Sequence, residues 1–401
     1  MSSRLPGRIR LFTAATTLSL LTAACLPHCF GNSAKLDTAP AANAKQASSQ
    51  NNKYRLPKNA IPSNYELSFE PNLSKFTFTG SESVKLQIMS ATKEIEMNAL
   101  ELKISAAQII PADAASGTSS ARDLEIKLEP ETQKVRFIAK EPIAPGTYEL
   151  KCKFEGTLNN QLRGFYRSGY TDESHNKAWL AATQMEPTDA RRMFPAFDEP
   201  AYKAVFHIKA IINKNFVAIS NAPVEHEETT ADKKIVTFEP SPKMSTYLMA
   251  LVIGDLKCTG ETRGANVPIR VWAVSGKEHL GKYALSEAGK ILDFQAKYFG
   301  VPYLGKKLDL IALPEFSAGA MENIGAITYH DSELLLDEKT GSSFQKESIF
   351  GTTAHEMAHQ WFGDLVTMAW WDDLWLNESF ATWMCTKVED ALHPEWRTMT
   401  E

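Results

Sequence analysis

The stretch GTTAHEMAHQWFGDLVTMAWWDDLWLNESFATWM, Gly351 to Met384, sets two histidines and two isolated glutamates, Glu356 and Glu378, among apolar and aromatic residues. His355 and His359 are four positions apart. On an α-helix that is one turn plus a small rotation, about 6 Å of rise, so both imidazoles leave the same face. Ile349, Phe350, Met357, Ala358, Trp361 and Phe362 keep an apolar surface running past the pair, and Gly363 offers a C-terminal stop. Two imidazoles so placed grip one ion, and neutral imidazole suits zinc. Glu356 points away from the seam between the histidines but stays near it, which suits a general base acting on water rather than a ligand.

A catalytic zinc needs a third protein ligand and an open position. Leu374, Ala381, Cys385, Val388 and Leu392 recur at helical intervals, and Glu378 falls inside that stripe. A carboxylate on a buried face is costly unless it is paired or holds a metal. With eighteen residues between His359 and Glu378, the segment reads as a helix-turn-helix closing a His355, His359, Glu378 site for one zinc ion per chain.

At these residues the chain resembles the M1 family of zinc aminopeptidases, gluzincins with His-Glu-x-x-His, eighteen residues and a Glu. A second segment, IALPEFSAGAMENIGAITY from Ile311 to Tyr329, is similar to the family's GAMEN exopeptidase motif through Gly319, Ala320, Met321, Glu322 and Asn323. A third, TQMEPTDARRMFPAFDEPAYKAVF from Thr183 to Phe206, is similar to the family segment carrying the substrate-amine site. The likeness runs from about Leu56 to Leu392. It implies peptide substrates with a free N-terminus, with Glu322 and Glu186 holding the α-ammonium, Gln184 adding a neutral partner, and Glu356 as general base. Carboxylates fixed at one end of a cleft distinguish an ammonium from an internal amide by charge-assisted hydrogen bonds. The small side chains of Gly319 and Ala320 let a sheet edge approach an extended substrate closely. Met185 and Met321 line either the side-chain pocket or the core. The acids and arginines from Thr188 to Pro200 read as a structural ion-pair network.

The resemblance also implies a tyrosine downstream of the third ligand that stabilises the oxyanion, and none follows Glu378. The catalytic domain is therefore expected to be incomplete, with apolar surface uncovered at Val388, Leu392 and the nearby tryptophans. Five of the eight tryptophans, Trp361, Trp370, Trp371, Trp375 and Trp383, fall in the zinc segment and are expected to pack around its helices. Two other functions stand beside the aminopeptidase: a zinc-binding but catalytically impaired fragment or peptide-binding module, and a zinc endopeptidase, against which GAMEN argues.

Outward from this segment, 401 residues with 43% hydrophobic content build two cores. A net charge of −5 and the lack of any Lys/Arg run leave no footprint for nucleic acid. Period-two alternation from Tyr65 to Ile88, repeated at Val135 to Ile138, Tyr148 to Phe154, Ala204 to Ile212 and Ile235 to Phe238, reads as antiparallel strands. Beyond Cys258 come strands at Val267 to Val274 and Leu308 to Leu313, with a helix from His279 to Tyr298 between them. The expected fold is α+β: a mainly antiparallel β domain at 54–258, then an incomplete thermolysin-like zinc domain at 259–401. Arg4, Arg8 and Arg10 before LFTAATTLSLLTAAC read as a signal peptide over 1–30, and the Ala, Ser, Asn and Lys-rich stretch 31–53 as a disordered tether. Export to the periplasm or beyond is expected. Leu21 to Cys25 resembles a lipoprotein box, departing from it at Thr22, so a lipid anchor at Cys25 is the one membrane attachment considered. Cys152, Cys258 and Cys385 make no disulfide framework.

Overall fold

The computed structural model describes residues 53–112 and 121–399. The expected signal segment and, apart from Lys53, the tether lie outside the described residues. An eight-stranded sheet runs in the spatial order Val224–Thr229, Lys233–Phe238, Val205–Asn213, Ala60–Asn72, Thr77–Ile88, Gly146–Thr157, Lys103–Pro111 and Arg122–Asp123. Its pairings are antiparallel except that Ala60–Asn72 runs parallel to Val205–Asn213. The alternation seen in the sequence is the burial pattern: Tyr65, Leu67, Phe69, Phe78, Val84, Leu86 and Ile88 all face the core. A three-stranded sheet (Thr92–Asn98, Lys134–Ile143, Glu125–Glu129) and a four-stranded one (Val217–Ser220, Leu251–Gly254, Lys177–Gln184, Gly164–Thr171) complete the β part.

The second half is built on a five-stranded sheet ordered Leu256–Gly264, Val267–Val274, Leu308–Leu313, Ala326–His330 and Ala320–Met321, which places the short GAMEN strand at an edge. The chain leaves the four-stranded sheet at Gly254 and enters this one at Leu256, so Cys258 lies inside the first strand of the second half. Helices α1 (Lys282–Phe299), α2 (Ser343–His359) and α3 (Leu374–Leu392) supply a core with Ile291, Leu292, Ile349, Phe350, Met357, Ala381 and Val388. Strands followed by helices give the expected α+β architecture.

Thr188 to Pro200 is the ion-pair network expected: Arg191 meets Asp198 at 2.8 Å, Arg192 meets Asp189 at 2.6 Å, and Arg55 meets Glu199 at 2.9 Å. Trp361 is buried and Trp371 packs against Tyr247, whereas Trp375 and Trp383 are 61% and 44% exposed, in line with the uncovered apolar surface expected there; Trp383 still meets the rings of Tyr298 and Phe380. Val388, expected to be uncovered, is fully buried, since it faces the core between the helices. Cys152, Cys258 and Cys385 are free thiols. No helix of the described residues is long and apolar enough to cross a membrane.

Asp309 anchors the second sheet. Burial opposes its charge, but Lys307 at 2.7 Å and Arg270 at 2.8 Å outweigh that and hold its carboxyl below the usual range. Such a depressed carboxylate adds stability that is present above its unfolded pKa and lost as pH falls through the folded one, here on the acid side of about pH 4. Asp309→Asn leaves buried Lys307 without its counter-charge, and a loss of about 3–5 kcal/mol is expected at pH 7. The deficit should shrink at pH 3; urea unfolding at both pH values measures it, and a constant deficit would contradict this account.

Candidate active site

Helix α2 starts on a capping box: the Ser342 hydroxyl accepts from Gln345 N at 3.2 Å, and the Gln345 side chain accepts from Ser342 N at 3.0 Å. Gln295 of α1 donates to Ala354 O at 2.7 Å, fixing the middle of α2 just before His355. After His359 the chain turns through Gly363, whose φ of +135° favours glycine and where a Cβ would stand 3.3 Å from His359 Nδ1. Residues 360–373 then return the chain to α3.

This hairpin brings together His355, His359 and Glu378. The two Nε2 atoms are 3.0 Å apart, and Glu378 Oε2 lies 3.3 Å from His355 and 3.7 Å from His359. Donors about 2.0–2.1 Å from a tetrahedral zinc stand about 3.3 Å from one another, so the set fits that ion. Nδ1 of His359 faces Phe362 O at 3.0 Å. A carbonyl only accepts, so Nδ1 keeps its proton, and with a metal bound Nε2 would present its lone pair to it. His355 Nδ1 faces the Thr382 hydroxyl at 3.5 Å.

Glu378 corrects one step of the sequence argument. Its side chain is 45% exposed, because it faces the cleft and not the core. What makes it a candidate ligand is convergence with the imidazoles, whose hydrogen bonds hold its carboxyl well below the usual range.

Around this triad stand acceptors without donors. Glu356 is buried with Oε2 unpartnered, and Glu322 Oε1, Glu186 Oε1 and Gln184 Oε1 are buried and unpartnered as well. Burial pushes the Glu356 carboxyl up to about 8, His359 opposing and Glu322 and Glu378 adding to the rise. Burial pushes Glu186 up to about 9, with Glu322 the next contributor. Burial opposes a proton on His359, but Glu322, Glu378 and Glu356 outweigh it and hold the ring's pKa well above its ordinary value. So many inward-facing acids call for cations near them, at the triad and beside Glu186, which Glu322 lies close enough to perturb.

Gly319 is exposed, Ala320 half-buried, and Met321, Glu322 and Asn323 are buried. Ala320 and Met321 form the edge strand, with one backbone side open. Met185 and Met321 both belong to the core, and Met321 Sδ accepts from Gln184 Nε2 at 3.6 Å, leaving the Gln184 carbonyl oxygen free. Asn323 turns inward to donate to Thr328 Oγ1 at 3.1 Å, a supporting contact. A cavity of about 400 Å³ lies against Ala320, Thr352, His355, Glu356 and Thr382. Sequence reasoning missed the Phe362 carbonyl, Thr382 and Gln360; a backbone carbonyl carries no sequence signal, whereas Gln360 could have been suspected from its place directly after His359.

A paired-helix His-Glu-x-x-His centre beside a sheet edge, with a carboxylate third donor, defines the gluzincin class of metallopeptidase folds. Residues 61–248 match the Peptidase M1 N-terminal domain and residues 283–401 the Peptidase family M1 domain, and the chain belongs to peptidase family M1. It is 42% identical over 347 residues to Aminopeptidase M1 of Arabidopsis thaliana, covering 86% of this chain and 39% of that protein. It is 43% identical over 345 residues to Aminopeptidase 2 of Candida albicans (85% and 36%) and 39% identical over 351 residues to Alanine/arginine aminopeptidase of Saccharomyces cerevisiae (85% and 39%). The chain thus spans about two fifths of the length of these curated relatives.

Proposed function

We propose that this chain carries the metal and amine sites of a zinc aminopeptidase, removing N-terminal residues from peptides. The observation that carries the reading is the convergence of His355, His359 and Glu378 next to three unpartnered acceptors and the free carboxylate of Glu356. Zinc held by the triad supplies a Lewis acid for the scissile carbonyl and lowers the pKa of water there. Glu356 Oε2 takes a proton from the attacking water as the C–O bond forms, and returns it to the leaving amine as the C–N bond breaks. Glu186, Glu322 and Gln184 each offer an oxygen to one N–H of the substrate ammonium, so the first peptide bond is the one presented to Glu356.

The test is zinc content together with hydrolysis of aminoacyl-arylamides and of a peptide in free and N-acetylated forms. One zinc per chain with cleavage of the free form alone is expected; cleavage of the acetylated peptide at an internal bond would replace the reading with an endopeptidase. Glu322→Ala is expected to raise KM about 10- to 100-fold with a smaller change in kcat, because it removes one charge-assisted partner of the ammonium. An unchanged KM would remove Glu322 from the amine site.

Export is also proposed, on the basic residues Arg4, Arg8 and Arg10 before a short apolar run, with lipidation at Cys25 as one form of it. N-terminal sequencing and mass analysis of the mature chain test both points.

A further inference from the structure

We infer that Gln360 is a positioning residue that sets the distance between the metal ligands and the amine-binding carboxylate of Glu322, and thereby the one-residue reach of the site. The inference rests on the proposed role of Glu322. Gln360 directly follows His359 and is 1% exposed. Its Nε2 donates to Glu322 O at 2.8 Å, and its Oε1 is buried without a partner. Among the described residues this is the one hydrogen bond joining α2 or the turn after it to residues 319–325.

The rest of the GAMEN turn is tied elsewhere. Asn221 Nδ2 donates to Ile324 O at 2.9 Å and Lys307 Nζ to Gly325 O at 2.6 Å. Asn221 is itself held by Leu248 O at 2.7 Å and by Ala250 N at 2.9 Å. Gly325, at φ +74°, passes so close that a Cβ would lie 2.2 Å from Asn221 O. These bonds fix the turn to the β-sheets, but none refers it to the metal. Gln360 alone does that: the backbone bearing one zinc donor continues into a side chain that grips the backbone bearing the ammonium acceptor. A buried carbonyl that loses its donor relaxes toward another, and a displacement of about 1 Å at a positioning group costs up to about a hundredfold in rate.

Gln360→Met removes the donor at similar volume. Gln360→Leu, slightly smaller and equally without a donor, covers the case in which the first variant does not fold. In the Glu356→Gln background, which is expected to keep zinc but lose turnover, the zinc-loaded full chain, wild type at position 360, and both Gln360 variants are titrated calorimetrically with a short alanine-rich peptide in free-amine and N-acetylated forms, and zinc stoichiometry and affinity are measured alongside. Wild type should prefer the free amine. Each variant should keep its zinc and its affinity for the acetylated peptide while losing about tenfold in affinity for the free amine, and with Glu356 in place KM for arylamides should rise more than kcat falls. A wild-type preference retained in the variants would overturn the positioning role. So would a zinc affinity that falls as far as peptide affinity, which would make Gln360 a support of the metal alone. A wild type without any preference would instead overturn the assignment of Glu322 as amine anchor, and this inference with it.

Discussion

Glu356→Gln, in the zinc-loaded chain, is expected to lower kcat by about 10²–10⁴-fold while zinc stoichiometry stays at wild-type level. The reason is positional and chemical together. Glu356 sits one residue after a zinc donor yet outside the converging triad, so its loss takes no ligand from the metal. The side chain is buried and its Oε2 has no partner, so an amide of the same shape fits without new packing. What the amide lacks is a site for the proton. In the metal-free site burial raises this carboxyl to about 8, with Glu322 and Glu378 contributing and His359 opposing; a bound zinc would oppose the rise further. Initial rates on an arylamide panel with metal analysis of the same samples measure both halves of the expectation. Parent-like turnover in the variant would remove Glu356 from the proton path, and loss of zinc would make it a structural support.

The convergence of His355, His359 and Glu378 was legible in the sequence because its logic is local. A spacing of four on one helix and a second helix eighteen residues on leave little freedom, and the three donor atoms meet where those spacings imply. The β-strands were legible for the same reason: Tyr65, Leu67 and Phe69 alternate inward in the structure as they alternate in the chain. Side-chain directions that depend on a distant neighbour were not legible in the sequence. Glu378 shares its helical stripe with Ala381 and Val388, but the core turns away one residue short of it, and the carboxylate stands half-exposed over the cleft. Trp375 looks like a core residue by type, yet is 61% exposed on α3. Gln360, Asn221 and Lys307 act through hydrogen bonds to residues 38, 103 and 18 positions away, and no periodicity records such contacts.

His359→Ala is expected to reduce zinc affinity by at least about a hundredfold. Outer partners of metal-bound imidazoles already contribute 10- to 100-fold in affinity, so loss of the ligand itself must exceed the upper end of that range. The substitution also empties a fully buried position and frees the Phe362 carbonyl from its 3.0 Å contact with Nδ1. Without metal, the wild-type ring keeps a proton, because Glu322, Glu378 and Glu356 outweigh the burial that opposes it. Zinc therefore displaces a proton on binding, and wild-type affinity should fall as pH drops from 8 to 6. Linkage gives a second measurement: free zinc at a thousand times its Kd stabilises the folded chain by about 4 kcal/mol, so a chelator should lower the melting temperature of wild type and leave His359→Ala nearly unmoved. A variant that binds zinc as wild type does would mean that the ion sits elsewhere and that His355 and Glu378 meet His359 without sharing a metal. Equal melting shifts on chelation in both proteins would carry the same meaning, and the site would then have to be sought among the other buried acids of the cleft.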